Sequence, residues 1–236
     1  MNTVDVLAIA AHPDDVEVSC SGLLMRMADQ GYKIGILDLT RGEMGSRGTA
    51  ELRTEEALLA SKIMGLSARE NAELPDARLT LTENSREVIA SYIRKLRPAL
   101  VILPTGGQRH PDHNATAEIA YAGIFAAGLK KFPVPGDIHR PDRILYSTSF
   151  QQQTPSFYVD ITAQIDRKLE AVAAYRSQFG EAGSTNPVTK QDMESYILNG
   201  ARSYGLQCGV EYAEPYWIKE AQRIDDPIKE LRLNSI

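Results

Sequence analysis

Short apolar runs alternate with stretches of helical spacing through roughly the first half of the chain, and this alternation limits the fold more than any other feature. Residues 4–11 form a nearly continuous apolar run that only Asp5 interrupts, which is typical of a strand buried on both faces of a sheet. Further runs of strand character follow at residues 33–39, 70–74 and 99–104. Strands that alternate with helices predict an α/β fold: a doubly wound, Rossmann-like, mostly parallel sheet with helices on both faces.

Four helices are predicted between and after these strands, and capping signals set most of their limits. They cover residues 17–30, 50–64, 84–97 and 115–127. Glycine follows three of them, at positions 31, 65 and 128, where it commonly ends a helix. Thr49 is the predicted N-cap of the second helix, and Asn84 with Glu87 resembles a capping box for the third.

The pattern is less regular beyond residue 129. Residues 131–142 carry three prolines and a glycine and are predicted to form a loop. Strands are predicted at 143–149 and 157–160, with one helix at 161–178 and another that Thr189 caps and that ends near Tyr204. No repeat or linker is visible, so residues 1–236 are predicted to form a single domain.

Composition and charge exclude several classes of protein. Lys plus Arg number 26 and Asp plus Glu 31, for a net charge of −5, so the basic excess of a nucleic-acid-binding protein is missing. No window approaches the roughly 20 apolar residues of a membrane span, and the first residues lack the basic region of a signal peptide. Two cysteines are too few for a disulfide framework. We therefore expect a cytoplasmic protein that binds neither nucleic acid nor membrane.

Three of the four histidines lie in two short motifs, each just after a predicted strand. The sequence HPDD occupies positions 12–15, and HPDH occupies positions 110–113. In a doubly wound sheet of order 3-2-1-4, the first and fourth strands are neighbours where the winding reverses, and ligands bind outside their carboxyl ends. We therefore expect the two motifs to meet in one crevice. The remaining histidine, His139, lies in the proline-rich loop and is expected to take no part.

The residue types in this crevice suit a catalytic metal. Two histidines and one carboxylate are ligands that zinc takes in hydrolases, and the same set also suits iron(II). His12 and His113 would supply the imidazoles, and one of the adjacent carboxylates of Asp14 and Asp15 would complete the set. The other carboxylate could then accept a proton from the attacking water.

The second motif contains two further candidates. His110 would stabilise an oxyanion or protonate a leaving amine, and Asp112 could orient it by a hydrogen bond and keep it cationic. A single His-Pro-Asp turn is usually no more than a turn, but two at one switch point predict a metal site. The chain has no GxGxxG sequence in its first strand–helix turn, no Walker A loop and no GxSxG elbow.

The two motifs resemble those of the LmbE-like (PIG-L-type) zinc-dependent N-acetylglucosamine deacetylases. AHPDD at 11–15 and HPDH at 110–113 carry the resemblance, and the stretch from Thr40 to Arg53 is similar to a third region of that family. Segments at 74–76, 109–113, 175–179 and 209–214 resemble the bacillithiol biosynthesis deacetylases in particular. The resemblance implies a hydrolase that removes acetate from N-acetylglucosaminyl-malate and leaves a free amine.

The resemblance also implies a role for each site residue. It implies three ligands for Zn²⁺, with Fe²⁺ as the alternative metal, and these ligands are His12, Asp15 and His113. Asp14 would be the general base, and His110, with Asp112 behind it, would stabilise the tetrahedral intermediate or act as an acid. Glu43 and Arg53 resemble residues that contact sugar hydroxyls.

One position departs from the family pattern. Gln108 stands where some members carry a tyrosine that polarises the amide carbonyl, and Tyr196 and Arg109 are candidate substitutes. Because arginine pairs with carboxylates in a bidentate manner, Arg53 and Arg109 are also the expected contacts of a malate-type substrate. The family further implies a homo-oligomer, with a hexamer as one form.

Three alternatives to the malate glycoside remain at this point. The substrate could be another N-acyl glucosaminide, such as chitobiose or another GlcNAc conjugate. The chain could instead be a sugar-binding module that keeps the fold without turnover, although its ligand set is intact. An iron(II) oxygenase would use the same two-histidine, one-carboxylate set, but the spare carboxylate favours hydrolysis.

Overall fold

A seven-stranded sheet runs through the computed structural model, which describes residues 3–149, 153–180 and 190–226. The strands are β1 (Val6–Ala10), β2 (Ile34–Asp38), β3 (Ala68–Asn71), β4 (Leu100–Pro104), β5 (Arg143–Ser147), β6 (Phe157–Asp160) and β7 (Ala213–Trp217). Their order is β3-β2-β1-β4-β5-β7-β6. Strands β1 to β5 are parallel, and β7 runs antiparallel to both β5 and β6. The predicted fold class is confirmed, and so is the order 3-2-1-4.

Helices cover both faces of this sheet. They are α1 (Asp15–Ser19), α2 (Ser21–Asp29), α3 (Ala50–Met64), α4 (Glu83–Leu96), α5 (Pro111–Ala127), α6 (Ile165–Ala173), α7 (Arg176–Phe179) and α8 (Lys190–Cys208), with a 3₁₀ turn at Thr162–Gln164. Within the described ranges, no helix is both long and apolar enough to cross a membrane.

The alternation of side chains along β1 explains why its sequence is apolar throughout. Leu7 and Ile9 join the core cluster that includes residues of α4 and α5. Val6, Ala8 and Ala10 join the cluster on the other face, against α1 and α2. Because both faces of the strand are covered, no position along it favours a polar side chain.

Several predicted boundaries are confirmed, and others are corrected. Helix α3 covers the predicted residues, and Thr49 caps it by accepting a hydrogen bond from the Leu52 N–H at 3.2 Å. The N-cap of α4 is Thr82 rather than Asn84, because Thr82 and Ser85 form a reciprocal capping box. The predicted first helix is divided in two at Cys20, where φ is −148°.

Three other segments differ from their predictions. Strand β3 begins at Ala68 rather than at residue 70, and the predicted helix at 161–178 consists of the 3₁₀ turn, α6 and α7. Helix α5 begins at Pro111 rather than at residue 115, so the HPDH motif forms its first turn. Strand β7 was not predicted from the sequence, and it contains Pro215, a residue type that is disfavoured within strands. The predicted cap Thr189 lies outside the described residues.

Candidate active site

The two histidine motifs meet at the carboxyl ends of β1 and β4, as the topology predicts. These strands pair directly, with Val6 opposite Leu100. The ring centroids of His12 and His110 are 4.9 Å apart, and those of His110 and His113 are also 4.9 Å apart. Residues about a hundred positions apart in sequence therefore share one site.

Asp15 lies between two of these histidines. Its Oδ2 is 3.3 Å from Nδ1 of His12, and its Oδ1 is 3.1 Å from Nε2 of His113. One ligand atom from each of the three residues lies within 4.8 Å of the others. This is the donor set that the resemblance implies for the metal.

Hydrogen bonds on the outer side of both imidazoles support this assignment. Nε2 of His12 is 3.1 Å from Oδ1 of Asp76, and Nδ1 of His113 is 2.7 Å from Oε1 of Gln108. The Gln108 amide group donates to the Thr105 carbonyl at 3.0 Å, which fixes its oxygen towards His113. Each histidine can thus donate its outer N–H and present a bare nitrogen to a cation beside Asp15, as metal-ligating histidines do. The residues therefore fit a divalent metal.

A second group of candidate ligands fits less well. His12, His110 and Asp112 also place ligand atoms within 4.8 Å of one another. However, Oδ2 of Asp112 accepts a hydrogen bond from the Ala77 N–H at 2.8 Å, and it lies 3.5 Å from Nε2 of His12, the nitrogen that also faces Asp76. The Asp112 carboxylate therefore lies beside the outer nitrogen of His12, where it can help to orient the ring.

The electrostatics of the site favour positive charge. Burial opposes protonation of His12, but the nearby carboxylates, with Asp15 first and Asp76 next, outweigh it and raise its pKa to about 9. Burial likewise opposes protonation of His113, yet Asp15 raises its pKa. Burial alone would raise the pKa of Asp15, but His113 and His12 together lower it. A cation at this position would meet the same carboxylates.

Asp14 is held apart from this ligand set. It is the N-cap of α1 with a φ of 118°, and its Oδ2 accepts a hydrogen bond from Nη2 of Arg53 at 2.8 Å. Burial raises the pKa of Asp14 to about 7, although Arg53 opposes the shift. Arg53 itself is buried, packs closely against Gly42, and finds no partner for its Nε among the described residues. The predicted sugar contact Arg53 is thus also the partner of the predicted base.

His110 and Asp112 interact differently from the prediction. His110 is the N-cap of α5, and its Nδ1 accepts a hydrogen bond from the Asp112 main-chain N–H at 3.3 Å. The Asp112 carboxylate faces His12 and Ala77 instead. Burial and the charges of the two other histidines lower the pKa of His110. The idea that the Asp112 carboxylate holds His110 cationic by a hydrogen bond is therefore corrected.

The remaining predicted contacts lie at different distances from the cluster. Glu43 accepts hydrogen bonds from the N–H groups of Asp76 at 2.8 Å and Arg41 at 3.2 Å, so it borders the site. Arg109 is exposed next to His110. The Tyr196 hydroxyl donates to the Ser149 carbonyl at 3.4 Å and lines another cavity, so the described contacts do not bring it to the histidines. The substrate roles of these residues stay predictions.

Sequence reasoning did not assign Asp76 or Gln108 as partners of the metal ligands. Leu74-Pro75-Asp76 was noted only as a segment similar to the bacillithiol biosynthesis deacetylases, and Gln108 only as a position that departs from the family pattern. Asp76 lies 64 positions from His12, on the loop after β3, so no local spacing connects them. The one available signal was that β3 is also a parallel strand, whose carboxyl end lies at the same edge of the sheet.

The fold and this site together define a metal-dependent deacetylase of the doubly wound α/β class. The PIG-L family model, described as GlcNAc-PI de-N-acetylase, matches residues 7–124. The chain is also 30% identical over 221 residues to a diacetylchitobiose deacetylase of Thermococcus kodakarensis, which covers 89% of this chain and 80% of the relative. The chain therefore belongs to the PIG-L family, and the predicted enzyme class is confirmed.

Two further relatives show how widely the similarity extends. A 1D-myo-inositol 2-acetamido-2-deoxy-alpha-D-glucopyranoside deacetylase of Rhodococcus erythropolis is 24% identical over 230 residues, covering 81% of this chain and 74% of the relative. The crystal structure of a conserved protein from Thermus thermophilus superposes with a TM-score of 0.85 at 40% identity. That match covers 94% of this chain and 98% of the other.

Proposed function

We propose that this chain removes the N-acetyl group from a small molecule that contains N-acetylglucosamine, and that a short GlcNAc sugar of the diacetylchitobiose type is its substrate. The observation that carries the proposal is the division of labour between two adjacent carboxylates. Asp15 lies between the two ligand histidines, while Asp14 is paired with Arg53. A hydrolase that activates water needs this combination of a ligand and a separate proton acceptor.

The choice of substrate differs from the first expectation. The sequence resemblance placed N-acetylglucosaminyl-malate first and chitobiose among the alternatives. The relative from Thermococcus kodakarensis supports the chitobiose alternative better, since its name states that substrate and it covers most of both chains. The malate glycoside is kept as a second substrate to be tested. The homo-oligomer, including the hexamer, stays a prediction.

His12, Asp15 and His113 would hold the metal, and zinc is the metal we propose, with iron(II) as the alternative. When bound, zinc would polarise the amide carbonyl and lower the pKa of a water molecule, so that the water can lose a proton and attack the carbonyl near neutral pH. Asp76 and Gln108 would keep the two imidazoles in the tautomers that this binding needs.

The other side chains would act on the substrate directly. Asp14 would accept the proton of the attacking water, with its carboxylate oriented by Arg53. His110 accepts the Asp112 N–H at Nδ1, so its Nε2 can carry a proton and donate it in a hydrogen bond to the developing oxyanion. The proton held by Asp14 would then pass to the departing amine, which leaves the sugar amine and acetate as products.

The test is the release of free amine from three substrates: N,N'-diacetylchitobiose, N-acetylglucosaminyl-malate and plain N-acetylglucosamine. Protein stripped of metal is compared with protein restored with zinc or with iron(II). We expect zinc-dependent release that is fastest with the chitobiose. A preference for the malate glycoside would return the chain to its first expected substrate. Metal binding without release from any of the three would contradict the deacetylase proposal and favour a sugar-binding module.

A further inference from the structure

A small cavity lies on the inner side of the predicted metal ligands. It has a volume of about 20 Å³ and is bordered by Asp15, Gln108 and His113 at one end. Its walls continue into the core between β1, β4 and the short helix α1, as far as Cys20. The proposed base Asp14 and its partner Arg53 do not line it.

The walls of this cavity are mostly apolar. Ala10, Val16, Cys20 and Ile102 belong to one core cluster and surround it, with Ser147 at the end of β5. A cavity needs about 10–15 Å³ to admit one water molecule, so this one has room for a single group of that size. A methyl group is of that size, and an apolar wall suits a methyl group better than it suits water.

The shape of an amide connects this cavity with the reaction. The three substituents of the amide carbon diverge in a plane, so the methyl group and the nitrogen lie on different sides of it. The nitrogen carries the sugar, which needs the open side, where the exposed residues Glu43 and His110 lie. The methyl group must then point to the inner side, where the cavity adjoins Asp15 and His113.

We infer that this cavity is the acyl pocket of the enzyme and that its size restricts the substrate to formyl and acetyl amides. The inference rests on the proposed deacetylation and adds the acyl-group specificity. Ala10, Cys20 and Ile102 are then specificity-determining residues. An additional methylene has no space in the pocket, and one methylene in an apolar pocket changes kcat/KM by roughly 10–200-fold.

The first experiment measures amine release from N-formyl, N-acetyl, N-propionyl and N-butyryl forms of the same glucosamine disaccharide by zinc-restored protein. We expect release from the formyl and acetyl forms, a loss of roughly 10–200-fold in kcat/KM at propionyl, and a further loss at butyryl. Similar kcat/KM values for acetyl and propionyl forms would overturn the inference while leaving the deacetylase proposal intact.

Variants that change the size of the pocket give the second experiment. Ile102→Val and Cys20→Ala should raise the propionyl-to-acetyl ratio, each on the order of 10-fold. Ile36→Val is the matched control, because Ile36 is fully buried in the same core cluster and does not line the cavity. A ratio that shifts equally in Ile36→Val and Ile102→Val would contradict the inference.

A substitution that fills the pocket should narrow the acyl specificity instead of widening it. Ala10→Val adds two methyl groups to the wall, so acetyl release should fall by roughly 10–200-fold while formyl release stays near that of the parent protein. Retained formyl release shows that the variant is folded and binds metal. Equal losses of formyl and acetyl release would overturn the assignment of Ala10. No amine release from any of these amides by the zinc-restored parent protein would instead defeat the proposed function, and this inference with it.

Discussion

The two strand-to-helix turns that build the site have different local structures. After β1, Asp14 has a φ of 118° and caps a helix of only 5 residues without a side-chain hydrogen bond. After β4, His110 caps a helix of 17 residues, and Pro111 occupies its first turn. A positive φ at a residue other than glycine costs about 1–3 kcal/mol, whereas proline near a helix N-terminus is preorganised. The strain is therefore located in the turn that carries the proposed base.

Contacts from distant segments hold the first turn in its conformation. Arg53 of α3 reaches Asp14, and Glu17, two residues after the ligand Asp15, is fully buried. Glu17 accepts hydrogen bonds from Arg69 at 2.6 Å and from the Tyr175 hydroxyl at 2.8 Å. The second turn has a hydrogen bond of its own, from the Asp112 N–H to His110, and a single hydrogen bond from a distant segment to Asp112, that of the Ala77 N–H. The difference suggests that mutations at a distance will affect the first turn more than the second.

Removal of a metal ligand should have the largest effect. His113→Ala leaves only one imidazole in the donor set, so we expect loss of bound metal and of measurable deacetylation. His139→Ala is the matched control, since Nε2 of His139 donates a hydrogen bond to the Pro98 carbonyl at 2.8 Å in the distant loop. Metal content by elemental analysis and amine release check both variants. Full metal occupancy in His113→Ala would show that His113 is not needed to hold the metal.

Replacement of the proposed base should reduce turnover without loss of metal. Asp14→Ala removes the proton acceptor, and a positioned general base typically contributes roughly 10²–10⁴-fold to the rate. We expect kcat to fall by that factor in protein that still binds the metal through its three ligands. Turnover close to that of the parent in a metal-loaded Asp14→Ala protein would show that Asp14 is not the general base.

The sequence was sufficient for the parts of the molecule that local patterns determine. Buried parallel strands appear as apolar runs, and Thr49 and Gly65 mark the ends of α3 because caps are local. The convergence of the two motifs followed from topology alone. The partnership of Asp14 with Arg53, the φ of Asp14 and the contact of Asp76 with His12 could not be predicted, because each depends on packing between segments far apart in sequence.

The outer hydrogen bonds of the two ligand histidines allow a direct comparison of the turns. Asp76→Leu removes the carboxylate partner of His12, and Gln108→Leu removes the amide partner of His113. Loss of such partners typically weakens metal affinity about 10–100-fold. We expect the larger loss for Asp76→Leu, since a charged acceptor binds an N–H more strongly than a neutral one.

Metal titration against a competing chelator measures both affinities. Glu70→Gln is the control, because this carboxylate on β3 pairs with Lys95 near the surface instead of with a ligand. An equal affinity for all variants would mean that the ligand rings are held by packing alone. A larger loss for Gln108→Leu would mean that metal affinity depends more on the outer partner of His113 than on that of His12.

The smallest expected effect tests whether the first turn depends on Arg53 and its neighbour Gly42. Gly42 has a φ of +67°, and an added Cβ would meet the guanidinium of Arg53. Gly65 has a similar φ of +74°, but a Cβ there would meet nothing within 4 Å. Both alanine variants therefore bear the backbone strain, of about 1–2 kcal/mol, and only Gly42→Ala must also displace Arg53.

Both variants should therefore lose thermal stability through backbone strain, with a further loss in Gly42→Ala from the displaced Arg53, and only Gly42→Ala should lose activity. Displacement of the guanidinium weakens the 2.8 Å contact that orients Asp14, and a misplacement of about 1 Å in a catalytic group can cost up to 10²-fold in rate. We expect kcat to fall on the order of 10-fold in Gly42→Ala and to stay unchanged in Gly65→Ala. If both keep full kcat, Asp14 holds its position without Arg53, and the strain at its φ must be supported by the Glu17 contacts alone. Thermal unfolding and initial-rate kinetics on the metal-loaded proteins distinguish these outcomes.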